Sequence, residues 1–159
     1  MPNSQDMKFI ADAMLGRLAR WLRFLGFDTL YYPGISDSRL IRIAREHYRI
    51  ILTRDTRLIK VKGLKDYVLI SSSDSFKQLL EVIEALKIKE FALFSRCVKC
   101  NGRLVRVMDK PEIKDSVPEF VFLHFNVFKK CSDCGRIYWE GSHPKKFKER
   151  IGEIIKAVS

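Results

Sequence analysis

The sequence predicts an α/β protein in which a three-layer domain with a parallel sheet is followed by a small β-rich domain. Over the first 94 residues, short apolar segments alternate with amphipathic ones. This alternation is typical of parallel strands joined by right-handed crossover helices that cover both faces of the sheet. From residue 95 onward the segments become shorter, and this part contains all of the cysteines. We therefore place the two domains at residues 1–94 and 95–159.

The first domain is expected to start with a disordered lead over residues 1–6 and then to alternate strands with helices. Strand-forming composition and helical periodicity distinguish the two kinds of segment. The expected strands are KFIAD at residues 8–12, FDTLYY at 27–32, RIILT at 49–53, YVLIS at 67–71 and EFALF at 90–94. The expected helices are MLGRLARWLRFLG at residues 14–26, SDSRLIRIAREH at 36–47 and DSFKQLLEVIEAL at 74–86.

The first helix has an apolar face and a basic face. At about 100° per residue, its leucines fall on one side and its arginines on the other. The leucines, which we expect to face the sheet, are Leu15, Leu18, Leu22 and Leu25. The arginines, which we expect to face outward, are Arg17, Arg20 and Arg23. Gly26 follows as a natural stop for the helix.

The second domain is expected to combine cysteine-containing turns, short strands and a closing helix. The segment EFVFLHFNVF at residues 119–128 is rich in residues that favour β structure. The tail beginning at Pro144 fits a helix with one apolar face. That face is formed by Phe147, Ile151, Ile154 and Ile155.

The cysteines form two Cys-x-x-Cys pairs, with 30 residues between the pairs. The pairs are Cys97 with Cys100 and Cys131 with Cys134. Tetrahedral zinc takes four sulfur ligands, and each short loop can aim two thiolates at one ion. Disulfide bonds and redox catalysis are the alternatives for such pairs. We favour a structural zinc ion, which makes the second domain a zinc ribbon.

The chain is strongly basic. Thirty lysines and arginines against 19 aspartates and glutamates give a net charge of +11. This excess favours a polyanionic partner, and nucleic acid is the obvious candidate. The sequence has no run of 18 apolar residues, and its start has neither the basic nor the apolar region of a signal peptide. We therefore expect a cytoplasmic protein that does not enter a membrane.

Four aspartates follow the predicted strands of the parallel sheet. Asp12 ends the first strand and Asp55 ends the third, while Asp37 follows the second strand and Asp74 follows the fourth. Sites in such sheets form beyond the carboxyl ends of the strands, where the connecting loops converge. Several carboxylates in one crevice repel one another unless a cation neutralises them. The pattern favours Mg²⁺ or Mn²⁺, which can activate water against a phosphodiester.

Each of these acids also has a structural explanation. Asp12 and Asp37 could cap the helices that follow them, and Asp55 could form a turn. Four neighbouring arginines could bind substrate phosphates, or they could form an ordinary solvated surface. These arginines are Arg17, Arg20, Arg54 and Arg57.

Asp74 is the weakest of the four candidates. Ser75 and Gln78, which follow it, fit a capping box for the next helix. Asp28 lies in the turn after Gly26, and we interpret it as a solvated residue rather than a member of the site.

Taken together, these residues resemble the Mut-seven C-terminal RNase domain family, in which a PIN-like nuclease domain is fused to a zinc ribbon. The resemblance spans Met7 to about His143. It rests on the ordered segments ADAMLGRLARWLRFLGFDTLYY, ILTRDTRL, SRCVKCNGRL and CSDCGRIYWEGSH. It implies metal-dependent ribonuclease chemistry, with Asp12, Asp37 and Asp55 where PIN-like proteins place acidic residues. Such sites commonly have four acids, and Asp74 is the candidate for the fourth.

The segment YWEGSH also matches the family. Tyr138 and Trp139 could stack on unpaired bases, and His143 could contact a phosphate or assist proton transfer. The alternative is that Trp139 packs between the domains and His143 caps a turn.

The function we predict is that of an endoribonuclease whose aspartates hold Mg²⁺ or Mn²⁺, with RNA gripped by the basic helix and the zinc ribbon. The alternative is a non-catalytic RNA-binding adaptor with a vestigial acidic site. A phospho-receiver domain fits less well, because receivers need an acidic pair after the first strand and IADAM offers only Asp12.

Overall fold

The computed structural model of the chain describes residues 4–142 and 145–158. Its strands are β1 (Lys8–Ala11), β2 (Asp28–Tyr31), β3 (Ile50–Thr53), β4 (Tyr67–Leu69), β5 (Leu104–Arg106), β6 (Phe128–Cys131) and β7 (Ile137–Trp139). Its helices are α1 (Gly16–Phe24), α2 (Asp37–Glu46), α3 (Ser75–Ala85), α4 (Glu119–His124) and α5 (Lys145–Val158). Of the lead that we expected to be disordered, Ser4–Asp6 form a turn of 3₁₀ helix and residues 1–3 lie outside the described residues.

The first four strands form a parallel sheet in the order β2-β1-β3-β4. Ile10, in β1, lies between Leu30 of β2 and Ile51 of β3. Because successive side chains point to opposite faces, Phe9 and Ala11 join the core cluster with α1 and α3, while Ile10 and Ile51 join the cluster with α2. Helices thus cover both faces, and the predicted three-layer α/β fold is confirmed.

The apolar face predicted for α1 is confirmed. All four of its leucines are no more than 1% exposed, and they pack against the sheet and α3. Gly26 ends the helix in the left-handed region, with a φ of +95°. A Cβ atom at this position would lie 2.3 Å from the carbonyl oxygen of Ala92, so only glycine fits here.

The outward orientation predicted for Arg23 is wrong. Its side chain is 7% exposed and donates from Nε to the carbonyl of Thr29, over 2.9 Å. Nη1 donates to the carbonyls of Val98 and Lys99, over 3.1 and 3.2 Å. These charge-assisted hydrogen bonds compensate for the burial of the guanidinium group. Helix periodicity could not reveal them, because the acceptors come from distant parts of the chain.

The strand predicted at residues 90–94 is not formed. The segment is irregular, and the N–H of Ala92 donates to the carbonyl of Leu25, at the end of α1, over 3.0 Å. Phe91 lies edge-on to Phe27, and Phe94 lies edge-on to a ring of α1. The apolar residues that suggested a strand therefore anchor a connecting segment to the core.

The zinc-ribbon part of the chain has an antiparallel sheet in the order β5-β6-β7. The β structure predicted for residues 119–128 is wrong over most of the segment, since Glu119–His124 form α4 and only Phe128 belongs to a strand. Pro118 immediately precedes this helix, with a φ of −57° that favours a helix start. Residues 119–124 therefore form a helix in spite of their local preference for β structure.

The apolar face predicted for the last helix is confirmed. Ile151 and Ile154 in α5 are 3% and 2% exposed and belong to the same core cluster as α1. The ring of Phe147 stacks on Trp21 of α1, with 3.8 Å between the ring centroids. The end of the chain therefore completes the core of the parallel-sheet part. No helix within the described residues has the length and apolar character needed to cross a membrane.

Candidate functional site

Three of the predicted acids lie at the carboxyl edge of the parallel sheet. Asp12 directly follows β1, Asp37 is the first residue of α2, and Asp55 lies two residues after β3. The N–H of Asp12 donates to the carbonyl of Leu52 over 2.9 Å, so the pairing of β1 with β3 continues up to this aspartate. The fold therefore brings the loops that carry these acids to one edge, as parallel strands require.

Asp12 is held rigidly at this edge. Asp12 is buried, with only 5% of the residue exposed. Oδ2 accepts a hydrogen bond from the Thr53 hydroxyl over 2.7 Å, and Oδ1 accepts one from the N–H of Ala13 over 2.8 Å. The capping explanation fails, because α1 begins only at Gly16 and its N-cap residue makes no side-chain hydrogen bond.

Asp55 both forms a turn and lies next to the buried acid. Its Oδ1 accepts a hydrogen bond from the N–H of Arg57 over 2.8 Å, which confirms the turn interpretation as a structural role. Its own N–H donates to the hydroxyl of Thr53 over 3.0 Å. Thr53 thus connects Asp55 to Asp12. Among the contacts of the described residues, Oδ2 of Asp55 has no hydrogen-bond partner and remains available to a ligand.

Asp37 is exposed but is electrostatically coupled to the other two acids. Partial desolvation, together with the negative charges of Asp12 and Asp55, raises the pKa of its carboxyl above the usual value. Asp37 does not cap α2, since the N-cap is Ser36, whose hydroxyl accepts from the N–H of Arg39 over 3.3 Å. The carboxylate of Asp37 is therefore not engaged in starting its helix.

Asp74 caps α3. Its Oδ1 accepts a hydrogen bond from the N–H of Lys77 over 3.0 Å, which lowers the pKa of this exposed carboxyl. The capping box predicted for Ser75 and Gln78 is not formed, because the Gln78 amide donates instead to the carbonyl of Ser72 over 2.9 Å. The described interactions couple Asp37 to two other acids but not to Asp74.

Glu81 is an acidic residue at this edge that the sequence analysis missed. It lies in the middle of α3 and accepts hydrogen bonds from the backbone of Ser71 and Ser72, just after β4, and from the Ser71 hydroxyl. Burial opposes ionisation, but these hydrogen bonds and the charge of Arg54 lower the pKa of Glu81. A motif search along the strand ends cannot detect it, since it approaches the edge from a helix.

The predicted phosphate-binding arginines lie on two sides of the edge. Arg17 and Arg20 are exposed on α1 and line a cavity of about 510 Å³. Arg54 and Arg57 are exposed in the loop after β3, and Nη2 of Arg54 donates to the carbonyl of Ser71 over 3.4 Å. All four remain accessible to an anionic ligand.

The cysteines form the tightest group of metal-ligating atoms in the described part of the chain. The four sulfur atoms, from Cys97, Cys100, Cys131 and Cys134, all lie within 4.8 Å of one another. The Sγ atoms are 3.4 Å apart between Cys100 and Cys131, and 3.7 Å apart between Cys97 and Cys134. Tetrahedral zinc with bonds of about 2.3 Å separates its sulfurs by ~3.8 Å. The spacing fits zinc and is too long for disulfide bonds.

The surroundings of the sulfurs favour a thiolate at Cys97 and oppose one at Cys100 and Cys134. The Tyr138 hydroxyl lies 3.0 Å from Sγ of Cys97 and is buried with it. Burial opposes ionisation of Cys97, but this hydroxyl and nearby backbone N–H groups lower its pKa to about 7. Desolvation and the adjacent sulfurs raise the pKa of Cys100 to about 12. A divalent cation would remove this mutual repulsion, so the four cysteines could hold a zinc ion.

Tyr138 and Trp139 occupy different environments. Tyr138 is 7% exposed beside the cysteines, so its ring is not accessible for stacking on a base. Trp139 is half-buried and packs near Phe128 in an apolar cluster of the ribbon. His143 lies outside the described residues, and its suggested contact with phosphate stays a prediction.

A polar seam connects the first cysteine loop to the parallel sheet. Asp28, which we expected to be solvated, accepts hydrogen bonds from Arg49 and Asn101, each over 2.7 Å. Asn101 also accepts from the N–H of Thr29 over 2.9 Å. Together with Arg23, these contacts fix the cysteine loop against the start of β2.

Comparison with protein families agrees with this arrangement of a parallel-sheet domain and a four-cysteine cluster. A family model described as the Mut7-C RNAse domain matches residues 7–151. The chain belongs to the Mut7-C RNAse domain family. A comparison with curated proteins returned no match.

Membership of the Mut7-C family supports a nuclease-type function and implies RNA as the substrate. In this Mut7-C chain, the match covers both the acidic edge that contains Asp12 and the four cysteines. The acidic edge and the cysteine cluster therefore both lie within the region that defines the family.

Proposed function

We propose that the protein is a metal-dependent endoribonuclease that hydrolyses RNA at the acidic edge formed by Asp12, Asp37 and Asp55. The observation that carries the proposal is the carboxylate of Asp12, which is buried, accepts a hydrogen bond from Thr53 and, after partial desolvation and together with Asp55, contributes to the raised pKa of Asp37. A buried carboxylate among other acids at the carboxyl end of a parallel sheet, beside an acid whose pKa is raised, is typical of a catalytic site.

The donor atoms at this edge fit Mg²⁺ or Mn²⁺. Carboxylate oxygens are the ligands that these hard cations prefer. In the described residues, no three carboxylates approach as closely as the sulfurs of the cysteine cluster do. This looser arrangement suits Mg²⁺, which usually keeps several waters and binds one or two carboxylates directly. A bound ion of this kind would activate a water and stabilise the leaving oxygen of the phosphodiester.

The residues of the chain have distinct roles in this proposal. Asp12 presents a fixed oxygen pair to the ion, because Thr53 and the N–H of Ala13 restrict its orientation. Asp55 contributes its free Oδ2 from the turn, and Asp37 contributes an exposed carboxylate from α2. Arg17 and Arg54 flank this edge and would hold the RNA phosphates in place. Asp74 is proposed only as a more distant fourth acid.

The zinc ion would act as a structural element. The cysteine loop that it organises is connected to β2 through Arg23 and Asn101, so zinc would hold the ribbon in a fixed position beside α1. The net charge of +11 supports RNA binding over the surface of both parts.

The proposal is tested by incubating zinc-loaded protein with a circular, unstructured RNA in buffer with Mg²⁺, with Mn²⁺, or with neither ion. A chelator is avoided because it would also remove zinc. We expect metal-dependent linearisation, which only an endonuclease can produce. Asp12→Asn and Asp55→Asn should reduce the rate at least 100-fold. Asp109→Asn, at an exposed aspartate of the ribbon, is the matched control.

Two outcomes would overturn the proposal. Cleavage that persists in both variants would show that the acidic edge is not the active site. RNA that is bound equally well with and without Mg²⁺ and remains intact would favour the adaptor function instead.

A further inference from the structure

The cavity beside α1 has a composition that the proposed nuclease function does not yet explain. It has a volume of about 510 Å³ and lies between α1, the loop after β2 and the first cysteine loop. Arg17 and Arg20 line it from α1, Tyr32 lines it from the loop, and Lys99 lines it from between two cysteines. The described lining residues include no carboxylate. Its size lies in the range of small-molecule sites.

Among the described residues, no carboxylate forms an ion pair with the arginine and lysine side chains that line the cavity. Within residues 4–142 and 145–158, neither Arg17 nor Arg20 forms an ion pair, and the side chain of Lys99 is likewise without an acidic partner. Arg23, which also lines the cavity, donates hydrogen bonds to three carbonyl groups, and these neutral acceptors leave its positive charge in place. Burial lowers the pKa of Arg23, while Cys100, Cys97 and Asp28 act on it electrostatically in the opposite direction. Three accessible cations around a concave surface with no acid form a site for an anion.

The cavity opens next to the acidic edge. Tyr31 lines it and is paired in register with Ala11, the residue before Asp12. The Tyr31 hydroxyl donates to the carbonyl of Ala13 over 2.8 Å. Its ring lies so close to Gly16 that a Cβ there would be 2.9 Å away. The wall of the cavity is therefore fixed directly to the loop that carries Asp12.

An aromatic ring accompanies the cations. Tyr32 also lines the cavity, and the guanidinium group of Arg39 lies over its ring at 5.0 Å from the centroid. A cation on a ring restricts its orientation, and a flat tyrosine surface beside phosphate-binding groups suits a nucleobase. A base can enter a recess of this kind only when it is unstacked from its neighbours, which excludes duplex RNA.

From this geometry we infer that the cavity is a nucleotide subsite for single-stranded RNA. A phosphate next to the cleaved bond binds Arg17, Arg20 and Lys99, and the attached base lies against Tyr32. This inference rests on the proposed nuclease function in one respect, which is that the bound RNA continues from the cavity toward Asp12. The binding of RNA in the cavity does not itself require cleavage. It gives Lys99, and therefore the zinc loop, a direct contact with substrate.

The inference is tested by measuring the affinity of zinc-loaded protein for a fluorescent single-stranded oligoribonucleotide, without Mg²⁺ or chelator, over a range of salt concentrations. Arg20→Gln and Lys99→Gln should each weaken binding about tenfold. The double variant should lower the slope of log affinity against log salt by up to roughly 0.7, the contribution of one phosphate contact in a single strand. The same RNA in duplex form should bind weakly to the wild-type protein and to each variant.

Control variants separate a subsite from general attraction. Arg42→Gln on α2 and Lys114→Gln in the ribbon remove the same charges from exposed positions away from the cavity. Equal losses in the cavity and control variants, or an unchanged salt slope in the double variant, would overturn the inference. Cleavage with wild-type affinity by the double variant would overturn it while leaving the nuclease function intact. Weakened binding with no cleavage by any protein would support the subsite and contradict the nuclease function.

Discussion

The hydroxyl of Thr53 donates a hydrogen bond to Oδ2 of Asp12 over 2.7 Å, and both residues are buried. The same hydroxyl oxygen accepts the N–H of Asp55 over 3.0 Å. One side chain at the end of β3 therefore fixes a buried acid on β1 and positions the acid of its own loop. A group that orients a metal-binding carboxylate in this way can affect function as strongly as the ligand itself.

Thr53→Val is expected to reduce RNA cleavage about 10- to 100-fold without unfolding the protein. Valine retains the shape of threonine but cannot donate to Asp12 or accept from Asp55. The measurement is the cleavage rate as a function of Mg²⁺ concentration, and a positioning role predicts a higher Mg²⁺ requirement. Thr53→Ser keeps the hydroxyl and should restore most of the activity. Equal losses in the valine and serine variants, with an unchanged Mg²⁺ requirement, would indicate a packing role instead.

Asp55→Asn is expected to lower the pKa of Asp37 in protein without Mg²⁺. The negative charges of Asp12 and Asp55 contribute to the raised pKa of Asp37, so removal of one charge should bring that pKa closer to its usual value. The measurement is an NMR titration of the carboxyl carbon of Asp37. Asp109→Asn should leave the titration unchanged. An unaltered pKa of Asp37 in Asp55→Asn would show that the acids do not share one edge.

Asp28→Asn is expected to destabilise the protein by about 1–2 kcal/mol at neutral pH. Burial opposes ionisation of Asp28, but the hydrogen bonds from Arg49 and Asn101 lower its pKa below the usual 3.8. A carboxyl with a lowered folded-state pKa stabilises the protein above the unfolded-state pKa, and this contribution is lost as the pH falls through the folded-state pKa. The difference in the free energy of unfolding between the wild type and the variant, measured by urea unfolding, should therefore shrink below about pH 4. A deficit that stays constant into that acidic range would contradict the assignment.

Arg23→Met is expected to lower the free energy of unfolding by about 2–4 kcal/mol, because one buried and two partly buried carbonyl groups lose their donor. Two of these carbonyls belong to the cysteine loop, so the variant should also release zinc more readily to a chromophoric chelator. Arg20→Met on the exposed side of the same helix should change stability by less than about 0.5 kcal/mol. Zinc release at the wild-type rate would show that the loop does not depend on Arg23.

The features that could be predicted from the sequence are those encoded by local periodicity and spacing. The leucine face of α1 and the order of strands and helices follow from burial at fixed intervals, and two Cys-x-x-Cys loops have few other arrangements once they meet. Asp12 and Asp55 were identifiable because each ends an apolar strand. Each of these signals is contained in one short segment of the chain.

The features that could not be predicted depend on contacts between distant segments. Arg23 was placed outward because its carbonyl acceptors at Val98 and Lys99 are far away in sequence. Asp28 was interpreted as solvated because Arg49 and Asn101 reach it only in the folded protein. Glu81 approaches the acidic edge from the middle of a helix, where no strand-end pattern can mark it.

The proposed metal site formed by Asp12, Asp37 and Asp55 can be examined by anomalous diffraction from zinc-containing crystals soaked in Mn²⁺. We expect a manganese peak about 2.2 Å from an oxygen of Asp12, with Asp37 or Asp55 bound directly or through water. The zinc peak among the four cysteines serves as the internal control. A filled zinc site together with no manganese at the acidic edge would contradict the proposed metal site.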